Sequence, residues 1–377
     1  MFLWLSELLR DQFGALNVFR YVTFRTIGAM GTSLLIAMAL YPWFIRRLQA
    51  RQIGQVVRSD GPETHFSKAG TPTMGGVLIL VAIAVSVLAW GDIRSAYVWL
   101  TMIPTVVFGI LGFIDDYLKI RFKNSKGVTG RQKLAVQFLT AAGVCWAMYS
   151  GALGSQLADT RMYIPFVSAQ AFSLLLPAWL YGLGAAVGVV GLSNAVNLTD
   201  GLDGLAIVPV MVASATFAVL CYLSGGSIGL EVNGTVHRFV MSDYLLIPSV
   251  PGAQELTVVA AAVIGAGVGF LWYNTFPAQV FMGDVGALAL GGTLGMFAIL
   301  SKNELLTLII GGIFVVEALS VITQTTSYKL TGKRVFRMAP IHHHFEKKGW
   351  PEPRVTVRFW IISIVLALIA LSSLKLR

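Results

Sequence analysis

Five aspartates that follow long apolar stretches are the residues best suited to chemistry in this sequence: Asp115, Asp116, Asp200, Asp203 and Asp284. Charged groups beside hydrocarbon are costly, and proteins keep them mainly where they pair, bind ions or react. Mg²⁺ usually takes one or two carboxylates together with substrate phosphates. The aspartates therefore indicate a metal site for phosphate chemistry. Helix capping or solvation is the alternative, and it explains one such residue more easily than five.

The spacing of these aspartates suggests different tasks. Successive helical residues point about 100° apart, so Asp115 and Asp116 cannot address one atom from the same helix face. One could reach a metal or a phosphate while the other holds a lysine, and repulsion between them suits one to act as a general base. Asp200 and Asp203 would share a face if helical, and the glycines around them allow a ligand to approach the backbone closely.

The elements that carry these residues are membrane helices by composition. The 377-residue chain is 56% hydrophobic and 12% charged, with a mean hydropathy of +0.73, whereas soluble proteins carry about 25% charged residues. Apolar runs of roughly 16 to 23 residues predict an all-α integral membrane protein with about ten transmembrane helices, in a single polytopic domain of residues 1–377. The runs are Thr23–Ile45, Thr73–Trp90, Val98–Ile114, Leu134–Tyr149, Ala171–Val190, Leu205–Leu223, Leu256–Tyr273, Val285–Leu300, Leu305–Thr325 and Val355–Leu374.

Lysine and arginine positions predict the orientation of the helices. Nineteen of the 28 basic residues lie in the segments after the first, third and ninth runs, whereas four opposite loops contain one each. By the positive-inside rule the basic segments are cytoplasmic and both termini are periplasmic. This orientation also places all five aspartates on the cytoplasmic face, where we expect the active site. The predicted cytoplasmic loops are about 46–72, 115–133, 191–204, 274–284 and 326–354.

The longest predicted periplasmic segment, about 224–255, is rich in Gly, Ser and Pro and carries no ion or nucleotide motif. Its Val232-Asn233-Gly234-Thr235-Val236 stretch places an Asn-Gly pair between β-forming residues, which predicts a hairpin. We therefore expect a structural cap. Cys145 and Cys221 lie inside apolar runs, so neither a disulfide framework nor a cysteine metal site is expected.

Two further segments contain groups suited to phosphates. Residues 340–351 include His342, His343 and His344 in succession. This spacing is unlike that of zinc ligands, but the imidazoles could donate to phosphate oxygens, and an expression tag would be terminal rather than internal. Lys68 and Thr73 lie in a segment that lacks the P-loop pattern yet could contact a nucleotide.

One acidic residue, Glu317, lies inside the ninth apolar run. Ionisable groups within membrane segments are expected to have a partner or a function. Two explanations stay open, a proton carrier and a hydrogen bond between helices, of which the second is the commoner arrangement.

A family resemblance rests on six segments: His65-Phe66-Ser67-Lys68, Gly70 to Gly76, Asp115-Asp116-Tyr117, Asn194 to Gly204, Pro277 to Gly286 and Pro340 to Pro353. With these motifs the sequence resembles, nearly end to end, the phospho-N-acetylmuramoyl-pentapeptide transferase (MraY) family of bacterial cell-wall synthesis. The Asp-Asp and Asn-Leu-Thr-Asp-Gly patterns alone resemble a wider superfamily that transfers sugar 1-phosphates to polyprenyl phosphates. The triple-histidine segment resembles the narrower family, and Ala287 stands where a serine is expected.

The resemblance implies a reaction in the bacterial inner (cytoplasmic) membrane. UDP-MurNAc-pentapeptide and undecaprenyl phosphate would give lipid I and UMP, with Mg²⁺ as cofactor. Membrane lipid would surround the protein, a homodimer is the expected assembly, and no nucleic-acid partner is expected, because the net charge of +10 comes from separate loops.

The resemblance also assigns residues by position. Asp284 would bind Mg²⁺, Asp115 would be the base or phosphate-activating group, and Asp116 would assist it. His342, His343 and His344 would support the phosphates or the metal. Independently of the resemblance, the charges of Lys119 and Lys133 suit them to hold phosphates. The other substrate-binding positions are Lys68, Thr73, Asn197, Asp200, Gly201, Leu202, Asp203, Asn274 and Phe281.

Other functions stay open on the residues alone. A sister transferase that uses UDP-GlcNAc would share the aspartates, although the histidine segment argues against it. A secondary transporter would place its site near the bilayer midplane between repeats, whereas these acids lie at the cytoplasmic ends of the runs. For the transferase, the attacking group is already a phosphate oxygen, so positioning and charge neutralisation matter more than a strong base. Direct attack and an aspartyl-phosphate intermediate both stay possible.

Overall fold

The computed structural model describes residues 1–9, 12–51, 70–122, 127–151, 153–154, 157–232 and 235–375, with main chain only at 228–238. These residues form a fold that is mostly α-helical. The helices are α1 (Phe2–Leu9), α2 (Val22–Ala50), α3 (Gly76–Trp90), α4 (Ala96–Phe122), α5 (Gly130–Tyr149), α6 (Ala178–Thr199), α7 (Ile207–Gly225), α8 (Met241–Leu245), α9 (Glu255–Asn274), α10 (Gly283–Leu300), α11 (Thr307–Ile310), α12 (Gly312–Thr331), α13 (Ile341–Glu346) and α14 (Glu352–Ser372), with a 3-10 helix at Gly14–Arg20.

Two small antiparallel sheets connect helices. The strands are β1 (Arg161–Met162) with β2 (Leu174–Leu175), and β3 (Ser227–Val232) with β4 (Thr235–Val240). In the second sheet Val232 pairs with Thr235. The hairpin predicted from the Asn-Gly signal is therefore confirmed.

Seven of the described helices are long and apolar enough to span a membrane: α2, α4, α6, α7, α9, α10 and α14. Helix α3 is apolar but has 15 residues. Helix α5 and the α11–α12 pair overlap the two remaining predicted runs. The prediction of an all-α membrane protein is confirmed.

Two helices begin or break where the predicted runs do not. The fifth run is predicted from Ala171, but α6 begins at Ala178, because the preceding residues form β2 and Pro177 takes the N-cap position. The ninth run is interrupted at Gly311, which separates α11 from α12. Glycine costs a helix interior roughly 1 kcal/mol relative to alanine, so a break there is inexpensive.

Helix α10 lies at the centre of the bundle. Every residue from Val285 to Leu300 is buried, and the helix packs against α3, α4 and α6. Glycines permit this close packing. A Cβ on Gly76 would lie 2.2 Å from the backbone nitrogen of Gly286, and one on Gly112 would lie 2.3 Å from the carbonyl oxygen of Asp284. Helices α3 and α4 thereby fix the end of α10 that carries Asp284.

Candidate active site

Helices α4 and α10 bring three aspartates together. Because α4 continues to Phe122, Asp115 and Asp116 lie in its last turns, and both are buried. Asp284 is the second residue of α10. One carboxylate oxygen from each aspartate lies within 4.8 Å of the others. The three side chains therefore face one shared space.

Two lysines neutralise part of this negative charge. Nζ of Lys119 lies 2.5 Å from Oδ2 of Asp115 and 3.1 Å from Oδ2 of Asp284. Nζ of Lys133, from the first turn of α5, lies 2.9 Å and 2.7 Å from the same two oxygens. The three carboxylates outnumber the two ammonium groups, so their oxygens can also serve a bound cation.

Neutral donors orient the carboxylates. The backbone N–H of Val128 donates to Oδ1 of Asp115 at 2.6 Å, and Nδ2 of Asn197 donates to Oδ1 of Asp284 at 2.9 Å. Asp116 accepts a longer bond, at 3.3 Å, from a backbone N–H in the first turn of α10. Hydrogen bonds to ionised groups are stronger than neutral ones. Each aspartate is therefore held by a different part of the chain.

Two glycines make room for the carboxylates. Gly127 and Gly283 both have left-handed backbone conformations, with φ of +44° and +74°. A Cβ on Gly127 would lie 2.4 Å from Oδ1 of Asp115, and one on Gly283 would lie 2.4 Å from Oδ2 of Asp116. Both positions require glycine, for conformation and for space.

The donor set fits Mg²⁺. Oxygen ligands from one or two carboxylates, completed by substrate phosphates, are its usual environment in enzymes, and three carboxylates converge here. Asp284 and Asp115 share both lysines, so a metal on Asp284 would release ammonium groups toward phosphates. Among the described residues, the cluster contains these aspartates and no histidine.

The chain between α6 and α7 forms a turn beside this cluster. Side chains of distant helices accept hydrogen bonds from the backbone of this turn. The N–H of Asp203 donates to Oε1 of Glu352 at 2.7 Å, and the N–H of Gly204 donates to Oδ1 of Asn274 at 2.9 Å. Oδ2 of Asp203 accepts from the N–H of Ala278 at 3.0 Å. Asp203 and Asn274 therefore shape the turn through their own hydrogen bonds.

Asp200 and Leu202 lie in the same turn but in different surroundings. Burial raises the pKa of Asp200 to about 7, and the negative charges of Asp284 and Asp203 add to this effect. Leu202 is buried in a small apolar cluster with Val355 of α14. Because α6 ends at Thr199, Asp200 and Asp203 do not share a helix face.

The segment that precedes α3 runs beside the segment that precedes α10. The N–H of Phe281 donates to the carbonyl of Pro72 at 2.8 Å, and the carbonyl of Phe281 accepts from Gly75 at 2.8 Å. Thr73 is buried, and its Oγ1 would lie 3.1 Å from a Cβ on Gly283. Thr73 and Phe281 thus flank the aspartate cluster, and Lys68 lies outside the described residues.

Each histidine of the triplet uses its Nδ1 atom in a separate contact. His342 Nδ1 lies 3.1 Å from Oε2 of Glu317, and His343 Nδ1 lies 2.6 Å from Oε2 of Glu346. His344 Nδ1 accepts a backbone N–H at 3.0 Å. These contacts anchor the histidines in the region of α12 and α13.

Three glutamates hold functional candidates in place, Glu317, Glu346 and Glu352, and sequence reasoning missed the last two. The first contacts a histidine in a different helix, as the hydrogen-bond explanation of Glu317 requires. Glu346 follows His343 by three residues, a helical spacing that could have indicated the pair. Glu352 contacts Asp203, 149 positions away in the chain, and no local sequence pattern predicts that contact.

Comparison with known proteins identifies the family. The Glycosyl transferase family 4 model matches residues 97–302, more than half of the chain. The phospho-N-acetylmuramoyl-pentapeptide-transferase signature 1 matches residues 68–80.

Full-length relatives agree with these matches. The chain is 54% identical over 368 residues to the phospho-N-acetylmuramoyl-pentapeptide-transferase of Sorangium cellulosum, covering 96% of this chain and 95% of the relative. The proteins of that name from Citrifermentans bemidjiense and a Geobacter species are 52% identical (98% of each chain) and 53% identical (96% of each chain). The chain therefore belongs to the phospho-N-acetylmuramoyl-pentapeptide-transferase family.

Proposed function

We propose that this protein transfers phospho-MurNAc-pentapeptide from UDP-MurNAc-pentapeptide to undecaprenyl phosphate, giving lipid I and UMP. An oxygen of the lipid phosphate bonds to the phosphorus that carries the sugar in UDP-MurNAc-pentapeptide. The P–O bond between the two phosphates of the donor breaks, and UMP leaves. The observation that carries the proposal is the convergence of three carboxylates and two lysines. Family membership supports the identity of donor and acceptor.

The charged groups of the cluster divide the work. When bound, Mg²⁺ would neutralise the diphosphate and the departing UMP, with Asp284 as its ligand. Lys119 and Lys133 would then exchange carboxylate partners for phosphate oxygens. Such fixed charges stabilise the transition state without reorganising when the reaction occurs.

Asp115 is the group that would orient or deprotonate the attacking lipid phosphate, and Asp116 supports it from the adjacent position. The lipid phosphate carries negative charge at neutral pH, so it needs little general-base help. The hydrogen bond from Val128 keeps Oδ1 of Asp115 in a fixed direction. We therefore assign Asp115 mainly to positioning of the lipid phosphate.

The nucleotide would lie between the turn after α6 and the segments that precede α3 and α10. Phe281 is half-buried beside this site, and Thr73, Asn197 and Asp200 line the approach to Asp284. His343 and His344 would support the phosphates from the side of α13. The full set of proposed substrate-binding residues is Lys68, Thr73, Lys119, Lys133, Asn197, Asp200, Gly201, Leu202, Asp203, Asn274, Phe281 and His342.

We also propose how the protein lies in the bacterial inner membrane. Ten spans arise if α3, α5 and the α11–α12 pair cross in addition to the seven long apolar helices. Both termini would be periplasmic and the aspartates cytoplasmic, as the distribution of lysine and arginine indicates. A homodimer is the proposed assembly, which the mass of the detergent-solubilised protein would test.

UMP release by purified protein tests the reaction. We expect release from UDP-MurNAc-pentapeptide only when both polyprenyl phosphate and Mg²⁺ are present, with lipid I as the second product. UDP-GlcNAc serves as the matched donor. Equal or faster turnover of UDP-GlcNAc would assign the protein to the sister reaction, and absence of UMP with every donor would refute the proposed function.

A further inference from the structure

A buried carboxylate and imidazole link α12 to α13 behind the aspartate cluster. Glu317 and His342 are both 0% exposed, and Nδ1 of His342 lies 3.1 Å from Oε2 of Glu317. The remaining polar side-chain atoms, Oε1 of Glu317 and Nε2 of His342, are buried and have no hydrogen-bond partner among the described residues. An ionisable pair is costly to bury without compensating contacts, so its position calls for a function.

The free edge of the imidazole lies against the turn that follows α6. A Cβ added to Gly201 would lie 2.4 Å from Nε2 of His342 and 2.9 Å from its Cε1. The backbone of Gly201 is outside the left-handed region, so its conformation suits any residue. Gly201 is glycine because the ring of His342 occupies the space of a side chain.

This contact acts on residues of the proposed nucleotide site. Gly201 follows Asp200, whose pKa is raised partly by the charge of Asp284. The next residues are held by Glu352 and Asn274. The turn is thus fixed on one side by hydrogen bonds and on the other by the imidazole ring.

We propose that Glu317 is a positioning residue, which orients His342 so that its ring supports Gly201 and sets the turn for nucleotide binding. This inference rests on the proposed function. Oε2 of Glu317 accepts a hydrogen bond from Nδ1–H of His342, and this directs the Nε2 edge of the ring toward Gly201. Substitution of Glu317 or His342 should change the affinity of the protein for nucleotide more than the rate of the chemical step.

Complementary substitutions test the contact between His342 and Gly201. Gly201→Ala should raise the UMP dissociation constant about tenfold, because the methyl group displaces the turn. His342→Asn removes the ring edge and keeps a donor for Glu317. The double variant should then bind UMP no more weakly than His342→Asn alone. If the loss of UMP affinity in the double variant equals the product of the two single losses, the two residues act independently, and the proposal is overturned.

Substitutions of Glu317 test its positioning role. Glu317→Ala should raise the KM for UDP-MurNAc-pentapeptide severalfold with a small change in kcat, and Glu317→Gln, which keeps an acceptor for Nδ1, should recover most of the loss. Glu304→Gln, a half-buried carboxylate beyond the far end of α10, is the matched control and should keep the wild-type KM. An unchanged KM in Glu317→Ala, or an equal fall of kcat in both Glu317 variants, would refute this role.

The two proposals fail in different ways. If the wild-type protein binds UMP but releases none from UDP-MurNAc-pentapeptide, the proposed reaction fails, while the pattern of UMP affinities among the four Gly201 and His342 proteins still decides the contact. If the wild-type protein makes lipid I and the double variant shows multiplied losses, only the positioning role fails. A wild-type protein that binds no nucleotide would refute both.

Discussion

Nζ of Lys133 lies 2.7 Å from Oδ2 of Asp284 and 2.9 Å from Oδ2 of Asp115. One ammonium group from α5 thus bridges the carboxylates of α4 and α10. The ammonium group of Lys133 therefore holds both Asp284, the candidate metal ligand, and Asp115, the candidate activating group. A phosphate that enters the cluster would find both lysines already oriented toward its oxygens.

Removal of this bridge should affect catalysis more than folding. We expect Lys133→Gln to lower kcat/KM about 100-fold, the usual range for loss of one charged or hydrogen-bonding group at a transition state. UMP release by the purified variant measures the effect. Arg131→Gln removes an exposed cation from the same turn of α5 and should retain near-normal activity. Equal losses in both variants would indicate that net charge, rather than position, matters.

Asp284→Asn should nearly abolish UMP release, because an amide is a poorer Mg²⁺ ligand and leaves Lys119 and Lys133 with one shared carboxylate, that of Asp115, instead of two. Titration of activity with Mg²⁺ measures the change. If Asp284 is the ligand, residual activity should require much higher Mg²⁺. Unchanged Mg²⁺ dependence with normal turnover would contradict the assignment.

Direct attack predicts that no phosphorylated enzyme forms. Oδ1 of Asp115 accepts a hydrogen bond from Val128, and Oδ2 lies beside two lysines, so both oxygens already have cationic or donor partners. Protein incubated with UDP-MurNAc-pentapeptide and Mg²⁺, without polyprenyl phosphate, should show no added mass by intact-protein mass spectrometry. A phosphosugar adduct mapped to Asp115 would establish the covalent pathway instead.

Gly283→Ala should inactivate the protein through both strain and collision. Its φ is +74°, and its Cβ would lie 2.4 Å from Oδ2 of Asp116. Gly332 provides a matched control, because its φ is +68° but nothing lies within 4 Å of a Cβ there. Gly332→Ala should cost about 1 kcal/mol of stability and leave UMP release intact. Similar activities in the two variants would show that crowding at Asp116 is unimportant.

Stability should depend on pH through Glu304, which lies between α10 and α11. Burial raises the pKa of Glu304 from 4.5 to about 7. The folded protein then holds a proton that the unfolded chain has lost, so stability should fall as pH rises from about 4.5 to 7, by at most about 3 kcal/mol. Glu304→Gln should flatten this part of the melting-temperature profile. A slope as steep as in the wild-type protein would assign the titration to another group.

Local patterns predicted the elements of the site well. The apolar runs overlap the observed helices, and the aspartates that follow separate runs include three that converge. Each of these signals is local, since it depends on hydrophobic length or on one residue at the end of a run. The break at Gly311 and the late start of α6 were missed, because an apolar run does not reveal where a strand or a glycine interrupts it.

The contacts that hold the site were less predictable. Val128 donates its backbone N–H, Glu352 accepts a backbone N–H, and Gly201 leaves room for a ring. The partners lie far apart in the chain, so no periodic pattern in the sequence predicts these contacts. Asp203 and Asn274 were expected to bind substrate, and that role stays a prediction, while their described hydrogen bonds shape the turn. Lys68 lies outside the described residues, and its role stays a prediction.

The burial of α10 has a consequence for biogenesis. Its Gly- and Ala-rich surface fits against α3, α4 and α6 and offers lipid little apolar area, so this helix gains its stability from packing against its neighbours. Asp284 meets Asp115, Lys119 and Lys133 only once that docking is complete. A chain in which α10 has not packed would therefore lack the assembled aspartate cluster, and UMP release would report that this packing is complete.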